Sequence, residues 1–243
     1  MKISIIIATF NSEDFIENCI KSIINQTSNN YEIIIIDGSS TDNTNRIITK
    51  YKEYIKFYVS EPDKGIYDAW NKGLDNSNSD WIMFVGSDDI LKKDAIENYI
   101  DFITKNCNQH IEYVSARMNL TDKKGNIIRT VGEKWRFSKF RRFMNVAHPA
   151  SIHHISLFEK YGVYDTTYKI AGDYELLLRA KSKLKAEFID TVVIDMGMEG
   201  VSSVLLHKVF KESFRAKNKT ANVSKILCFV DYCHAYFANK IHK

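Results

Sequence analysis

The sequence of 243 residues has only two prolines and ten glycines. It has no low-complexity tract and no internal repeat, which leaves little room for a disordered linker. Cysteine is equally sparse. Cys19, Cys107, Cys228 and Cys233 show no C-x-x-C spacing, so no zinc site or disulfide framework is indicated. Reduced thiols in a cytoplasmic protein are the expectation, consistent with the lack of a signal-peptide pattern. No apolar run reaches the roughly 18 residues of a spanning helix. Arginine-rich runs are missing and the net charge is only +4, which argues against a nucleic-acid partner. Neither G-x-G-x-x-G nor G-x-x-x-x-G-K-[ST] occurs, which removes the dinucleotide fingerprint and the P-loop.

What the sequence does have is short apolar runs that end in polar residues. Lys2 to Phe10, Glu32 to Ile36 and Trp81 to Val85 are too short for helices and too uniformly apolar for half-exposed strands. They read as strands buried on both faces, as in a parallel sheet. Between them, Phe15, Ile16, Cys19, Ile20, Ile23 and Ile24 recur at helical spacing, with a turn and cap at Asn11-Ser12, and a second helix runs from Thr44 to about Glu53. This βαβα opening predicts an α/β fold with right-handed crossovers.

Ligands of such sheets bind beyond the carboxyl ends of the strands. The first strand ends in Ala8-Thr9-Phe10-Asn11, the second in Asp37-Gly38, and the third long run in Gly86-Ser87-Asp88-Asp89. A loop, Glu61 to Gly73, brings Asp63, Lys64, Gly65 and Asp68 to the same edge. Adjacent carboxylates repel unless a cation or several donors sit between them, and hard oxygen ligands suit Mg²⁺ or Mn²⁺. A solvated, helix-capping Asp pair is the competing reading. Asp37 could accept from a base or ribose, or could shape its own turn as Asp42 is expected to do.

The second half has a different rhythm. A helix covers Lys92 to Lys105, strands cover Ile111 to Ala116 and Ile127 to Val131, and Asp122 to Asn126 makes a hairpin turn. Glu133 to Val146 is basic and aromatic, as a surface for phosphate-bearing lipids or sugars would be, or a helix with aromatics inside. His148, His153 and His154 lack zinc spacing, and the latter two read as structural or surface residues. A helix closes at Gly162, and Asp173 starts another as a candidate N-cap. Glu187 to Ile194 is a last strand, and Gly197 to Ser203 a loop able to close over a ligand.

In this order and spacing, ATFN, IIIIDGSSTDNT, EPDKGIYDAWNKG and FVGSDDIL resemble the inverting glycosyltransferases of family 2, closely to about residue 95 and by weaker signals to about 205. The resemblance implies the GT-A fold, a Rossmann-like, mostly parallel sheet with flanking helices. It also implies transfer of a sugar from a nucleotide sugar, UDP-linked by default, to a hydroxyl of a glycan or lipid-linked acceptor in bacterial surface-polysaccharide assembly. By position, Thr9, Asn11, Asp37, Gly38, Asp63, Lys64, Gly65, Asp68 and Ser87 would bind the donor. Asp88, with Asp89, would hold Mn²⁺ or Mg²⁺, His148 would line the acceptor side, and Asp173 would be the general base. The family commonly has Asp-x-Asp-Asp where this chain has Gly86-Ser87-Asp88-Asp89. That departure favours one alternative, a catalytically silent nucleotide- or partner-binding scaffold. A nucleotidyltransferase is weakened by the missing phosphate loop.

The expected organisation is a transferase domain over 1–204, with a nucleotide-sugar half (1–95) and an acceptor half (96–204), then a helical tail over 205–243. Lys208, Lys211, Arg215, Lys217, Lys219 and Lys225 precede Ile226, Leu227, Phe229, Val230, Tyr232, Tyr236 and Phe237. Such a tail suits the inner face of the cell membrane, or packing on the domain, or a homodimer interface.

Overall fold

Isoleucine dominates the first strands because both faces of the sheet are covered. The computed structural model describes residues 1–106, 109–197 and 206–241. Strands β1 (Ile3–Thr9), β2 (Tyr31–Asp37), β3 (Ile55–Ser60) and β4 (Trp81–Gly86) are parallel, in the spatial order β3-β2-β1-β4. Alternate residues face opposite cores. Ile3, Ile5, Ile7, Ile33, Ile35, Met83 and Val85 meet one core, and Ile6, Ile34, Ile36, Ile82 and Phe84 the other. Each fully buried side chain of this size contributes about 1.5–3 kcal/mol.

Helices α1 (Ile16–Ile24), α2 (Thr44–Thr49) and α4 (Ala95–Lys105) carry residues of the first core, and α3 (Ile66–Asp75) lies on the other side. Gly73 lets α3 approach β1 closely: a Cβ there would lie 2.3 Å from Ile6 Cγ2. The register sets Thr9 beside Asp37, Asp37 beside Ser60, and Ala8 beside Gly86. The carboxyl ends of the parallel strands therefore finish level, along one edge.

Beyond β4 the sheet becomes mixed. β8 (Ser151–His154) runs antiparallel to β4 and to β6 (Tyr113–Thr121), β9 (Ala186–Gly197) pairs parallel with β6, and short β5 (Ile90–Leu91) pairs with β9. β7 (Ile127–Val131) hangs from β6 through the expected turn, where Asp122 N donates to Asn126 O at 3.0 Å. β6 extends past the expected end at Ala116. The basic aromatic segment is helical only over α5 (Phe137–Phe140). α6 (Ile155–Tyr161) stops before Gly162, and α7 (Gly172–Ala180) follows. Ala171 is the N-cap of α7, so Asp173 sits in its first turn rather than at the cap.

The tail forms α8 (Leu206–Lys219), packed on α7, and α9 (Lys225–Ile241), packed on α8. Ala216, Lys217, Val223, Cys228 and Asp231 are buried there, so this segment is part of the folded body. Cys107 and most of the expected closing loop, 198–203, lie outside the described residues, as does the expected boundary at residue 204. No described helix is long and apolar enough to cross a membrane.

Candidate active site

A cleft of about 1510 Å³ opens at the level strand ends. On its floor β4 turns sharply, with Asp89 N donating to Gly86 O at 3.2 Å and Gly86 N donating to Asp89 Oδ2 at 2.7 Å. Asp89 is 3% exposed, and its Oδ1 is buried without a hydrogen-bond partner. Burial, then the charge of Asp88, pushes the Asp89 carboxyl up to about 8, and burial also raises Asp88. A Cβ at Gly86 would lie 2.9 Å from Asp88 Oδ1 and 3.1 Å from Asp89 Oδ2. The two remaining carboxylates thus fill the room that a side chain at position 86 would need.

This pair fits a divalent cation. Its donors are carboxylate oxygens, and one is orphaned. Among the described residues no group of three or more His, Cys, Asp or Glu could hold an ion alone. The fit is therefore to a metal such as Mg²⁺ that takes one or two carboxylates and completes its shell with substrate phosphates.

Around this floor the expected donor residues divide. Thr9, Asn11, Asp63, Gly65, Ser87, Asp88 and Asp89 line the cleft, whereas Asp37, Gly38, Lys64 and Asp68 do not. Ser87 Oγ hydrogen-bonds Ser12 Oγ at 2.8 Å. Asn11 has φ 46°, a left-handed conformation that Asn tolerates, and its Oδ1 accepts from Thr41 N at 2.9 Å. Asp37 is fully buried, and its carboxylate accepts from Ser40 N at 2.9 Å and from the Ser40 and Ser60 hydroxyls. In this structure it organises its own loop. Asp68 Oδ2 accepts from Lys64 N at 3.0 Å, a local turn contact, and Asp63 Oδ1 accepts from Gly65 N at 2.7 Å. Gly65 has φ 112°, open only to glycine without strain, and Gly38 makes room for Asp63 Oδ2, 2.8 Å from where its Cβ would stand.

Asp173 enters from the opposite wall. Its Oδ1 accepts from Tyr174 N at 2.8 Å and lies 3.1 Å from Tyr67 Oη, which also donates to Ile170 O at 2.6 Å. Burial, then the charge of Asp173, pushes the Tyr67 phenol well above its ordinary value, so it keeps its proton. Gly172 permits this approach, since a Cβ there would lie 2.7 Å from the Tyr67 ring. The backbone before α7 is held from the tail: Glu212 accepts from Lys169 N, Ile170 N and Ala171 N at 2.9–3.0 Å.

His148 lines the same cleft, 2% exposed, stacked on Trp70 with centroids 5.2 Å apart, its Nε2 3.1 Å from Tyr164 Oη. Burial lowers its pKa against the opposing charge of Asp173, which leaves the ring neutral. His153 is a fully buried core residue, and His154 Nδ1 accepts from Ser156 N at the start of α6.

The cleft is also walled by residues that the sequence alone did not single out as site residues. Arg142, Phe143, Phe214, Lys217 and Asp231 line it. Asp231, 1% exposed, accepts from Arg142 Nε at 2.6 Å and from Lys217 Nζ at 3.1 Å. The only signal in the sequence was the charge and aromatic richness of the two segments.

The sequence matches the family model described as "Glycosyl transferase family 2" over residues 4–162. The chain belongs to that family. It is therefore a glycosyltransferase, and its mixed sheet with flanking helices is the GT-A fold. It is 27% identical over 214 residues to a "PGL/p-HBAD biosynthesis glycosyltransferase" of Mycobacterium tuberculosis, covering 85% of this chain and 81% of the relative. Staphylococcus aureus TarS in complex with UDP-GlcNAc superposes with a TM-score of 0.72 at 18% identity, over 94% of this chain and 69% of that one. The mannosyltransferase PcManGT of Pyrobaculum calidifontis, in complex with GDP-Man and Mn²⁺, gives 0.66 at 16% identity over 100% and 76% of the two chains.

Proposed function

We propose that this glycosyltransferase moves a sugar from a nucleoside-diphosphate sugar to an acceptor hydroxyl with inversion at the anomeric carbon. The carrying observation is that Asp88 and Asp173, from opposite halves of the chain, face one cleft. Asp173 takes the proton of the acceptor hydroxyl as its oxygen attacks the anomeric carbon from the side opposite the diphosphate. Tyr67 and the Tyr174 N–H hold that carboxylate in place. A divalent cation bound at Asp88, with Asp89 behind it, would neutralise the departing diphosphate. His148, neutral and stacked on Trp70, lines the wall on the acceptor side.

The nucleotide complexes of TarS and PcManGT support a sugar nucleotide as donor, with UDP the default, and the manganese of the second supports a metal. The mycobacterial relative supports a role in glycoconjugate assembly, with a glycan or lipid-linked acceptor. Calorimetric titration with UDP, GDP, dTDP and CMP, each with and without Mn²⁺, tests the donor side. Binding of one nucleotide that requires Mn²⁺ is expected, and no binding to folded protein would refute the reading. Asp173→Asn should lower transfer about 10²–10⁴-fold with nucleotide affinity unchanged. Gly86 favours a second reading, a nucleotide-binding scaffold without turnover, and absence of transfer by the intact protein to every acceptor tried would leave that reading in front.

A further inference from the structure

Over its described side chains, residues 225–234, α9 buries one face and exposes an apolar one. Inward, Cys228 and Asp231 are buried and, with Tyr232, line the cleft. Outward, Ile226, Phe229 and Val230 are 80%, 61% and 51% exposed. Their i, i+3, i+4 spacing puts them on one contiguous stripe rather than scattered singly over the surface.

The surrounding charge says what covers the stripe. Within the described part of the tail, Glu212 and Asp231 are both turned inward, one onto backbone N–H groups and the other onto Arg142 and Lys217. Lys208, Lys211, Lys219 and Lys225 are exposed, as is Arg141 on the neighbouring segment. Glu133, the acid of that segment, is engaged by Lys139 and Arg136. Of the charged side chains described in the tail, the exposed ones are thus all lysines, while its two acids face inward. A second copy docked on this face through a two-fold axis would set lysines against lysines. An anionic bilayer offers both an apolar interior and opposite charge, and a helix of this pattern lies in the interface without crossing it.

We propose that the outer stripe of α9, Ile226, Phe229 and Val230, together with Lys225 and with Lys219 at the end of α8, seats the protein on an anionic membrane surface. α9 also walls the active-site cleft, so that wall stands at the lipid boundary. That second consequence rests on the transferase reading; membrane binding does not.

The test is co-sedimentation of the full chain, without nucleotide, with phosphatidylcholine vesicles that contain or lack phosphatidylglycerol. Binding to the anionic vesicles is expected, weakened by salt. Replacing the stripe by Ile226→Ser, Phe229→Ser and Val230→Ser together should weaken it about tenfold or more. Lys219→Glu with Lys225→Glu should do the same. These side chains are exposed, so the variants should keep the circular dichroism of the wild-type chain. No sedimentation of the wild-type chain at low salt overturns the proposal, as does equal sedimentation of the triple-serine variant. A dimer seen by sedimentation velocity and dissolved by the serine variant, with no vesicle binding, assigns the face to a second copy and also overturns it. Because the readout needs no turnover, an inactive transferase leaves it intact.

Discussion

Asp231→Ala probes whether the tail is structural to the site. Asp231 and Lys217 have side chains 0% and 7% exposed, while Arg142 is 36% exposed. Removing the carboxylate strands the Lys217 ammonium, which among the described residues keeps the Arg142 carbonyl at 2.9 Å and the Phe143 ring 5.3 Å away. Breaking a buried pair by deleting one partner costs about 3–5 kcal/mol. Water reaches Arg142, so its share is small, and we expect the low end, about 3 kcal/mol. For a chain of this size that is about 6–12 °C in melting temperature. Asp231→Asn, which keeps an acceptor, should fall between. Burial raises the Asp231 carboxyl, but hydrogen bonds from Arg142 and Lys217 outweigh it and hold it below its usual value. Its contribution is therefore complete above the unfolded carboxylate pKa of about 3.9 and is lost as pH falls through the lower folded value. Urea unfolding measures the loss, and hydrogen exchange should show faster exchange in α9 and in residues 142–146. A change under about 1 kcal/mol with unchanged exchange would refute the account.

Three further substitutions bear on the site. Tyr67→Phe removes the hydroxyl 3.1 Å from Asp173 Oδ1 and should lower kcat about tenfold with donor affinity unchanged; an unchanged kcat would show that the hydroxyl does not position the carboxylate. Glu212→Gln weakens the clamp on residues 169–171; we expect slower transfer with intact nucleotide binding, and equal losses in both would point to general destabilisation. Gly86→Asp would supply the acid common in the family but push its Cβ against the Asp88 and Asp89 carboxylates. Calorimetry should then find weaker, not stronger, Mn²⁺-dependent nucleotide binding.

The parallel half of the sheet was legible because burial on both faces removes the polar alternation: Ile33 to Ile36 can be little else than an internal strand. The sequence signal of β6 fades after Ala116 because polar Arg117 and Asn119 interrupt its apolar run. In the fold Arg117 pairs with Asp190, and Asn119 hydrogen-bonds Asp195 and Thr130. Asp37 was ambiguous for a related reason, since a strand-end carboxylate can face a ligand or its own turn, and here Ser40 and Ser60 take its acceptors. The wall formed by Arg142, Lys217 and Asp231 was hidden by distance along the chain. Arg142 and Lys217 read as surface cations, and their shared carboxylate lies 89 and 14 residues away. Gly172 gave no signal until the Tyr67 ring was seen to need its missing Cβ.

The Glu212 clamp has a consequence for how such an enzyme can diversify. The family match ends at residue 162, yet Asp173 and the carboxylate that holds its loop both lie beyond it. The strand-end acids and the backbone that presents Asp173 are thus carried by separate lengths of chain. A change in the later length can move Asp173 and its loop while the earlier length keeps its Asp88-Asp89 floor. Lys217 and Asp231, through Arg142, tie the later length to the earlier one, and Glu212 ties the tail to residues 169–171, so an exchange of the tail would first fail at these contacts.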